Sequence, residues 1–453
     1  MLKLNKTIKE KRDIWLKDAN AHRDLLEGRA ANDIEKYRKG YAKVKFVDEN
    51  GEPIVGKKVK LSQLTHDFKY GANIFMLDEM ETDEKNQAYK DAFKDLFNIA
   101  TLPFYWSDLE RVQGQPRYTV DSPKIYRRPA TDLCVDFCLK NGIEPKCHCL
   151  NYEAWIPKWL LDSEVDHHKK MLEKRFRELS ERYADVIPSW EVTNETLTPD
   201  DEYYTEFSKF YKEDDFVEWS FRMADRYFPN NRLIINDFYQ IWEPFRNNRS
   251  QYFMQIERLA RNGIAHLDSI GMQFHSFFPK DNEGKMAKTR YNPVHLYKVL
   301  DKYAQLGKKI QITEMTIPAY SNDTEDEDVQ AELIEKIYTV FFSHPAMEAI
   351  VYWNLVDGYA AAAKLGDMTR GENIYHGGLM NFDLSKKKAY HVLKKLFSEK
   401  WHTEESGTTN PDGKFNFGGF YGDYNVEITH NGKTINKEIR LSQSKNNLIK
   451  IMI

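Results

Sequence analysis

Trp190-Glu191-Val192-Thr193-Asn194-Glu195 and Ile310-Gln311-Ile312-Thr313-Glu314-Met315 are two short runs in which β-branched residues lead up to a glutamate. Val, Ile and Thr favour a pleated backbone, so each run predicts a buried strand that carries a carboxylate to the rim where the strand stops. Gly271-Met272-Gln273-Phe274-His275 and Tyr352-Trp353-Asn354-Leu355-Val356-Asp357 have the same texture, with polar or aromatic ends. Working outward, strand-like runs lie at 68–75, 97–103, 144–151, 187–195, 233–238, 269–275, 309–314 and 349–355. Amphipathic helical patterns fill gaps between them, at 163–183, 215–227, 250–262, 293–306 and 325–342. Eight strand–helix repeats predict an α/β fold, a (β/α)8 barrel with its functional groups at the C-terminal ends of the strands. On this count Glu195 ends the fourth strand and Glu314 the seventh.

Two carboxylates without a metal or cofactor suit cleavage of a glycosidic bond. One, protonated, gives the leaving oxygen its proton, and the other, ionised, attacks or supports the sugar carbon. Taken singly, each glutamate is better read as a solvated loop residue, one of 70 acidic side chains.

Taken in order, WEVTNE, GMQFH, ITEM and YWNLVDG resemble the signature strands of glycoside hydrolase family 10, the endo-β-1,4-xylanase family, from about Phe68 to about Leu396. The resemblance implies a retaining, double-displacement glycosidase with Glu195 as acid/base and Glu314 as nucleophile, the carboxyl groups roughly 5–5.5 Å apart. It implies that Asn194 contacts the sugar 2-hydroxyl, that Gln273 and His275 hold the nucleophile and the sugar, and that Trp353 forms the aromatic floor. His148 keeps the family's histidine at the cleavage subsite, and Tyr152 replaces a tryptophan with an aromatic wall that carries a hydroxyl. Glu153 puts a charge where the family has an imidazole. Asn236-Asp237 resembles the fifth-strand motif and is expected to be structural.

At the end of strand two the chain departs from the family's TPENEMKW-like run and reads Thr101-Leu-Pro-Phe-Tyr-Trp106-Ser-Asp-Leu-Glu110, without its Glu, Asn and Lys sugar contacts. Phe104, Tyr105 and Trp106 would stack on a ring or pack the barrel top. Ala361 stands where the family commonly has a second Trp. Decorated xylan, or a non-xylan β-glycan, is therefore expected to be processed better than an unbranched xylan chain. Two alternatives stay open: the same mechanism on a non-xylan glycan or β-glycoside, and a non-catalytic carbohydrate-binding protein.

Residues 1–40 carry apolar residues at helical spacing (Ile8, Trp15, Leu25, Leu26, Ile34, Tyr37), predicting one or two amphipathic helices. The segment 42–61 alternates around Glu49-Asn50-Gly51, a hairpin signal. A similar alternation returns after Asn410, and neither end has enough strands to bury a face alone. The two ends resemble the first and last strands of a transthyretin-like sandwich. The expected organisation is a helical segment and hairpin at 1–67, the catalytic barrel at 68–400, and strands at 401–453 that complete a small accessory β-sandwich.

With 453 residues, a net charge of −4 and Lys plus Arg at 66 against 70 acidic residues, the chain has no broad basic field for nucleic acid or anionic lipid. The expected partner is a polysaccharide or oligosaccharide, with no cofactor and the chain a monomer. The N-terminal residues lack an apolar signal core and no apolar run is long enough to span a bilayer. If the chain is a trimmed form it is secreted or periplasmic, otherwise cytoplasmic. Cys134, Cys138, Cys147 and Cys149 lack the C-x-x-C spacing of a zinc site and are expected to be buried thiols, with no metal bound.

Overall fold

The computed structural model describes residues 13–198, 207–443 and 446–453. Among these residues, two sheets and one closed barrel are built from fifteen strands. The first two are β1 (Lys39–Val47) and β2 (Lys58–Gln63). The barrel follows with β3 (Lys69–Asn73), β4 (Ile99–Pro103), β5 (Glu144–His148), β6 (Ser189–Asn194), β7 (Arg232–Asp237), β8 (Ser269–His275), β9 (Lys309–Thr316) and β10 (Met347–Tyr352). The C-terminal strands are β11 (Glu404–Thr408), β12 (Lys414–Phe420), β13 (Gly422–His430), β14 (Lys433–Leu441) and β15 (Leu448–Met452). Strands β3 to β10 pair in parallel in chain order and close, β10 against β3, into the eight-stranded barrel expected from the repeats.

Because helices cover its outside and side chains fill its lumen, the barrel strands are buried on both faces. Every residue of β4 and of β6 is buried; β4 (Ile-Ala-Thr-Leu-Pro) reads accordingly as a nearly apolar run, whereas β6 buries the polar Glu191, Thr193 and Asn194 on its way to the site. The surrounding helices show one buried stripe each. On Val165–Tyr183 it is His168, Leu172, Phe176, Leu179 and Tyr183, spaced three or four residues apart, with Arg175 beside Phe176. Two helix starts are capped by side chains: Thr82 accepts from Lys85 N at the head of Asp83–Leu96, and Asn292 caps Pro293–Ala304 with proline in the first turn.

Register shifts decide which side chains face the lumen. Asn236, Gly271 and Gln311 are paired across β7, β8 and β9 and so share a face. Between Met272 and Gln273 the β8–β9 pairing skips Thr313, and Gln273 pairs with Glu314. Strict alternation would leave Glu314 with Ile310 and Ile312 on the opposite face; the shift turns it inward beside Gln273. A second shift between Glu191 and Thr193 lets both Glu191 and Asn194 face inward from β6. β9 does not stop at Glu314 but continues to Thr316. β6 ends one residue short of Glu195, which adopts a left-handed φ of 54°.

The termini build the accessory sandwich. β12–β1–β15 and β11–β2–β13–β14 form its two sheets, and Val44, Phe46, Val59, Leu61, Phe417, Val426 and Leu441 are among the residues of the shared core. The hairpin expectation is corrected here. The Asp48–Gly51 turn forms, and Ile54 N bonds back to Phe46 O, but β1 and β2 then enter opposite sheets. Each is the partner that a C-terminal strand lacks, and pairing with those strands puts both apolar faces into one core. Upstream, Lys17–Ala21 and Ala31–Arg38 are helical with a π-helical turn at Leu25–Ala30 between them, and Trp15 and Leu16 bury against the barrel. Ile8 lies outside the described residues. The four cysteines are free and buried.

Candidate active site

A cavity of about 700 Å³ opens at the C-terminal rim of the barrel. His148, Tyr152, Asn194, Glu195, Gln273, His275, Glu314 and Trp353, all eight site residues expected from the sequence, line it. Glu314 reaches it from within β9 and Glu195 from the residue after β6.

A chain of side-chain amides joins the two carboxylates. Asn236 Nδ2 donates to Glu314 Oε1 (3.1 Å) and to Asn194 Oδ1 (2.7 Å), while Thr313 Oγ1 donates to Asn236 Oδ1. Gln273 Nε2 donates to Asn194 Oδ1 (3.3 Å) and to Glu195 Oε1 (2.8 Å). With its oxygen accepting from two donors, the Asn194 amide is held with Nδ2 as the group left for a ligand. Asn236, expected to be only structural, thus touches Glu314 directly. Gln273 is bonded to Glu195 and not to Glu314, a division of labour with His275 that period-two spacing did not reveal.

His275 Nε2 lies 3.1 Å from Glu314 Oε2, and its Nδ1 lies 3.0 Å from Thr316 Oγ1. Burial pushes the His275 imidazole down to about 4, so the neutral ring offers Glu314 a hydrogen bond rather than a full charge. The Tyr152 hydroxyl donates to Glu195 Oε2. Burial pushes the Glu314 carboxyl up to about 8; the charge of His148 opposes this, and Glu195 and Glu191 reinforce it. Beneath them Glu191 accepts from Lys146 Nζ and meets His148 Nδ1, each at 2.5 Å, in a fully buried triad. Burial alone would raise Glu191, but Lys146 and His148 outweigh it and hold the carboxyl at about 2. The same partner raises the His148 imidazole despite its burial and leaves Nε2 to face a ligand.

Trp353 stands edge-on to both His148 (5.7 Å between centroids) and His275 (5.8 Å) and packs with Phe75 and Tyr105. Of the three aromatic residues after β4, only Tyr105 lines the cavity. Phe104 is buried edge-on to Tyr183 and Trp190, and Trp106 is buried with Nε1 on Glu110. Ala361 lines the cavity. Glu153 does not: its carboxylate turns away to accept from the backbone N–H and hydroxyl of Ser208, so the expected charge is absent from the wall. Arg127, Arg128, Arg290 and Glu372 also line the cavity and were not anticipated. One signal was present, since Tyr126-Arg127-Arg128-Pro129 lies in a connection far longer than a barrel loop requires. No group of His, Cys, Asp and Glu suited to holding a metal occurs among the described residues.

The model of glycosyl hydrolase family 10 matches residues 67–396. Anti-sigma-I factor RsgI6 of Acetivibrio thermocellus is 24% identical over 404 residues, 88% of this chain and 46% of that protein. Endo-1,4-beta-xylanase 1 of Arabidopsis thaliana is 24% identical over 405 residues, 87% of this chain and 37% of the relative. This chain thus spans less than half the length of either. Native xylanase 10B from Thermotoga maritima superposes with a TM-score of 0.57 at 22% identity, over 74% of this chain and 96% of that one, and so shares the fold. With that match running across the whole barrel, this chain belongs to glycosyl hydrolase family 10.

Proposed function

We propose that this chain is a retaining glycoside hydrolase that cleaves β-linked plant-type polysaccharide, xylan or a related decorated glycan, with Glu195 as acid/base and Glu314 as nucleophile. The observation that carries the reading is the pair of carboxylates in one cavity, coupled through Asn236, Asn194 and Gln273. Glu314 attacks the anomeric carbon while Glu195 protonates the departing oxygen. Glu195 then takes a proton from the water that releases the glycosyl enzyme. Burial works against the ionised Glu314. Donation from Asn236 and His275, and the positive charge that develops on the sugar carbon, favour it once substrate fills the cavity. Asn194 Nδ2, His148 Nε2 and the Trp353 ring supply contacts to the sugar.

Substrate choice belongs to the same proposal. Leu102, Pro103 and Phe104 occupy the register of the family's polar grips, Tyr105 lines the cavity after them, and the small Ala361 stands where a bulky ring is common, which supports a preference for decorated chains. Steady-state and burst kinetics on aryl β-xylosides test the roles. Glu314→Ala is expected to abolish turnover of every substrate. Glu195→Ala spares the first step on good leaving groups and slows the second, which needs the base. Equal loss of the first step on activated and unactivated substrates in Glu195→Ala rejects the assignment.

A further inference from the structure

The connection between β4 and the helix Thr131–Lys140 brings two adjacent arginines to the cavity wall, and their charges are treated differently. Arg128 is compensated: Nε donates to Asp108 Oδ2 at 2.9 Å, and the guanidinium lies over Tyr105 at 3.9 Å and Trp155 at 4.7 Å. Arg127 is only 4% exposed, yet its Nη1 donates to two neutral oxygens, Asn354 Oδ1 at 3.1 Å and the Tyr359 carbonyl. Its buried Nε has no partner. Glu372, on the same wall, accepts from Asn354 Nδ2 at 2.7 Å, so the amide of Asn354 stands between it and the guanidinium. Arg127 also holds a left-handed φ of 61°, a conformation that costs a residue with a side chain and needs its surroundings to hold it. Elsewhere in the cavity lining Arg290 is a second cation whose buried Nε is unpartnered. A buried cation with an unmet donor is costly until something fills the gap. Sugar hydroxyls can satisfy the N–H, but only an anion answers the charge, and the planar guanidinium fork matches a carboxylate.

We propose that Arg127, held through its backbone carbonyl by Arg128 Nη1 (2.9 Å), selects an acidic glycan, a β-linked chain that places the carboxylate of a uronic acid unit against this wall. The inference rests on the cavity being a glycan site. Calorimetric titration of Glu314→Gln with a xylo-oligosaccharide that carries one glucuronic acid, beside its unsubstituted counterpart, reads the preference without turnover. The acidic ligand should bind about tenfold to a hundredfold more tightly. The gap should narrow as salt is raised from about 50 to about 500 mM, where charges are screened. Adding Arg127→Gln should reduce it below about threefold, and Arg127→Lys, a point charge without the fork, should leave an intermediate gap. Equal affinities in Glu314→Gln, or a gap that survives Arg127→Gln, overturn the proposal. If Arg127→Gln does not fold, the comparison in Glu314→Gln and the Arg127→Lys variant still decide. Wild-type kcat/KM on the same two ligands separates the readings. Acid preference in binding with no turnover upholds Arg127 and rejects the hydrolase, whereas turnover with no preference does the reverse.

Discussion

Glu314 is the residue whose chemistry and stability pull in opposite directions. Burial raises its carboxyl from 4.5 to about 8, so the folded chain binds a proton there that the unfolded chain releases. The contribution to stability is therefore fully present below pH 4.5 and is lost as pH rises through 8, at a cost on the order of 5 kcal/mol above that point. Glu314→Gln is expected to raise the melting temperature at pH 8.5 while changing it little at pH 4.5, read by calorimetry. The nucleophile must be ionised, so kcat/KM on an activated aryl glycoside should climb with pH toward about 8. A flat profile between pH 5 and 8 contradicts this account of the free site. These effects could not be read from ITEM, because a strand pattern records that Glu314 lies in a buried run and not what lies across the lumen.

At the scale of the element, β5 and β6 deliver Lys146, His148 and Glu191 into one buried triad at the base of the cavity. Removing one charge leaves the others buried and uncompensated, so Glu191→Gln should cost about 3–5 kcal/mol in urea denaturation at pH 7. Glu191 is held at about 2 in the folded state against 4.5 unfolded. Its stabilisation is thus present above pH 4.5 and disappears as pH falls from 4.5 to 2. The difference between wild type and Glu191→Gln should shrink over that interval, and a difference that stays constant rules the triad out as its source. WEVTNE suggested the strand and its terminal Glu195, but Glu191 carried no mark in the sequence. Its partners arrive from another strand, and the one-residue register shift that lets both Glu191 and Asn194 face inward is a property of the β6–β7 pairing.

The whole molecule depends on its two ends meeting. β1 pairs with β12 and β15, and β2 with β11 and β13, so the N-terminal strands find all their partners in the last fifty residues. The sandwich also touches the barrel through Phe420, which packs near Phe342, and it grips the connection into β3, where His66 packs near Phe420 and Asp67 accepts from Arg440. Deleting residues 405–453 should expose Val44, Phe46, Val59 and Leu61 and strip two strands of their ladders. The expected result is a melting temperature lowered by several degrees and increased light scattering. A truncated chain that melts as the full one does would show that the barrel gains nothing from the sandwich.

The sequence by itself determined the order and number of the barrel strands, and it marked the two glutamates and a minority of the other residues that line the cavity. Strand propensity, amphipathic period and residues at strand ends are local properties that a linear chain displays. It also showed that both termini needed partners. Only the tertiary structure decided that β1 and β2 part into opposite sheets, since hydrophobic alternation marks a buried face without naming the strand that covers it. Only there do Asn236 and Gln273 become the link between the carboxylates, Glu153 turn out of the cavity onto Ser208, and Arg127 enter it without a charged hydrogen-bond partner. These outcomes depend on register shifts and on contacts between residues far apart in the chain, which arise when the barrel closes.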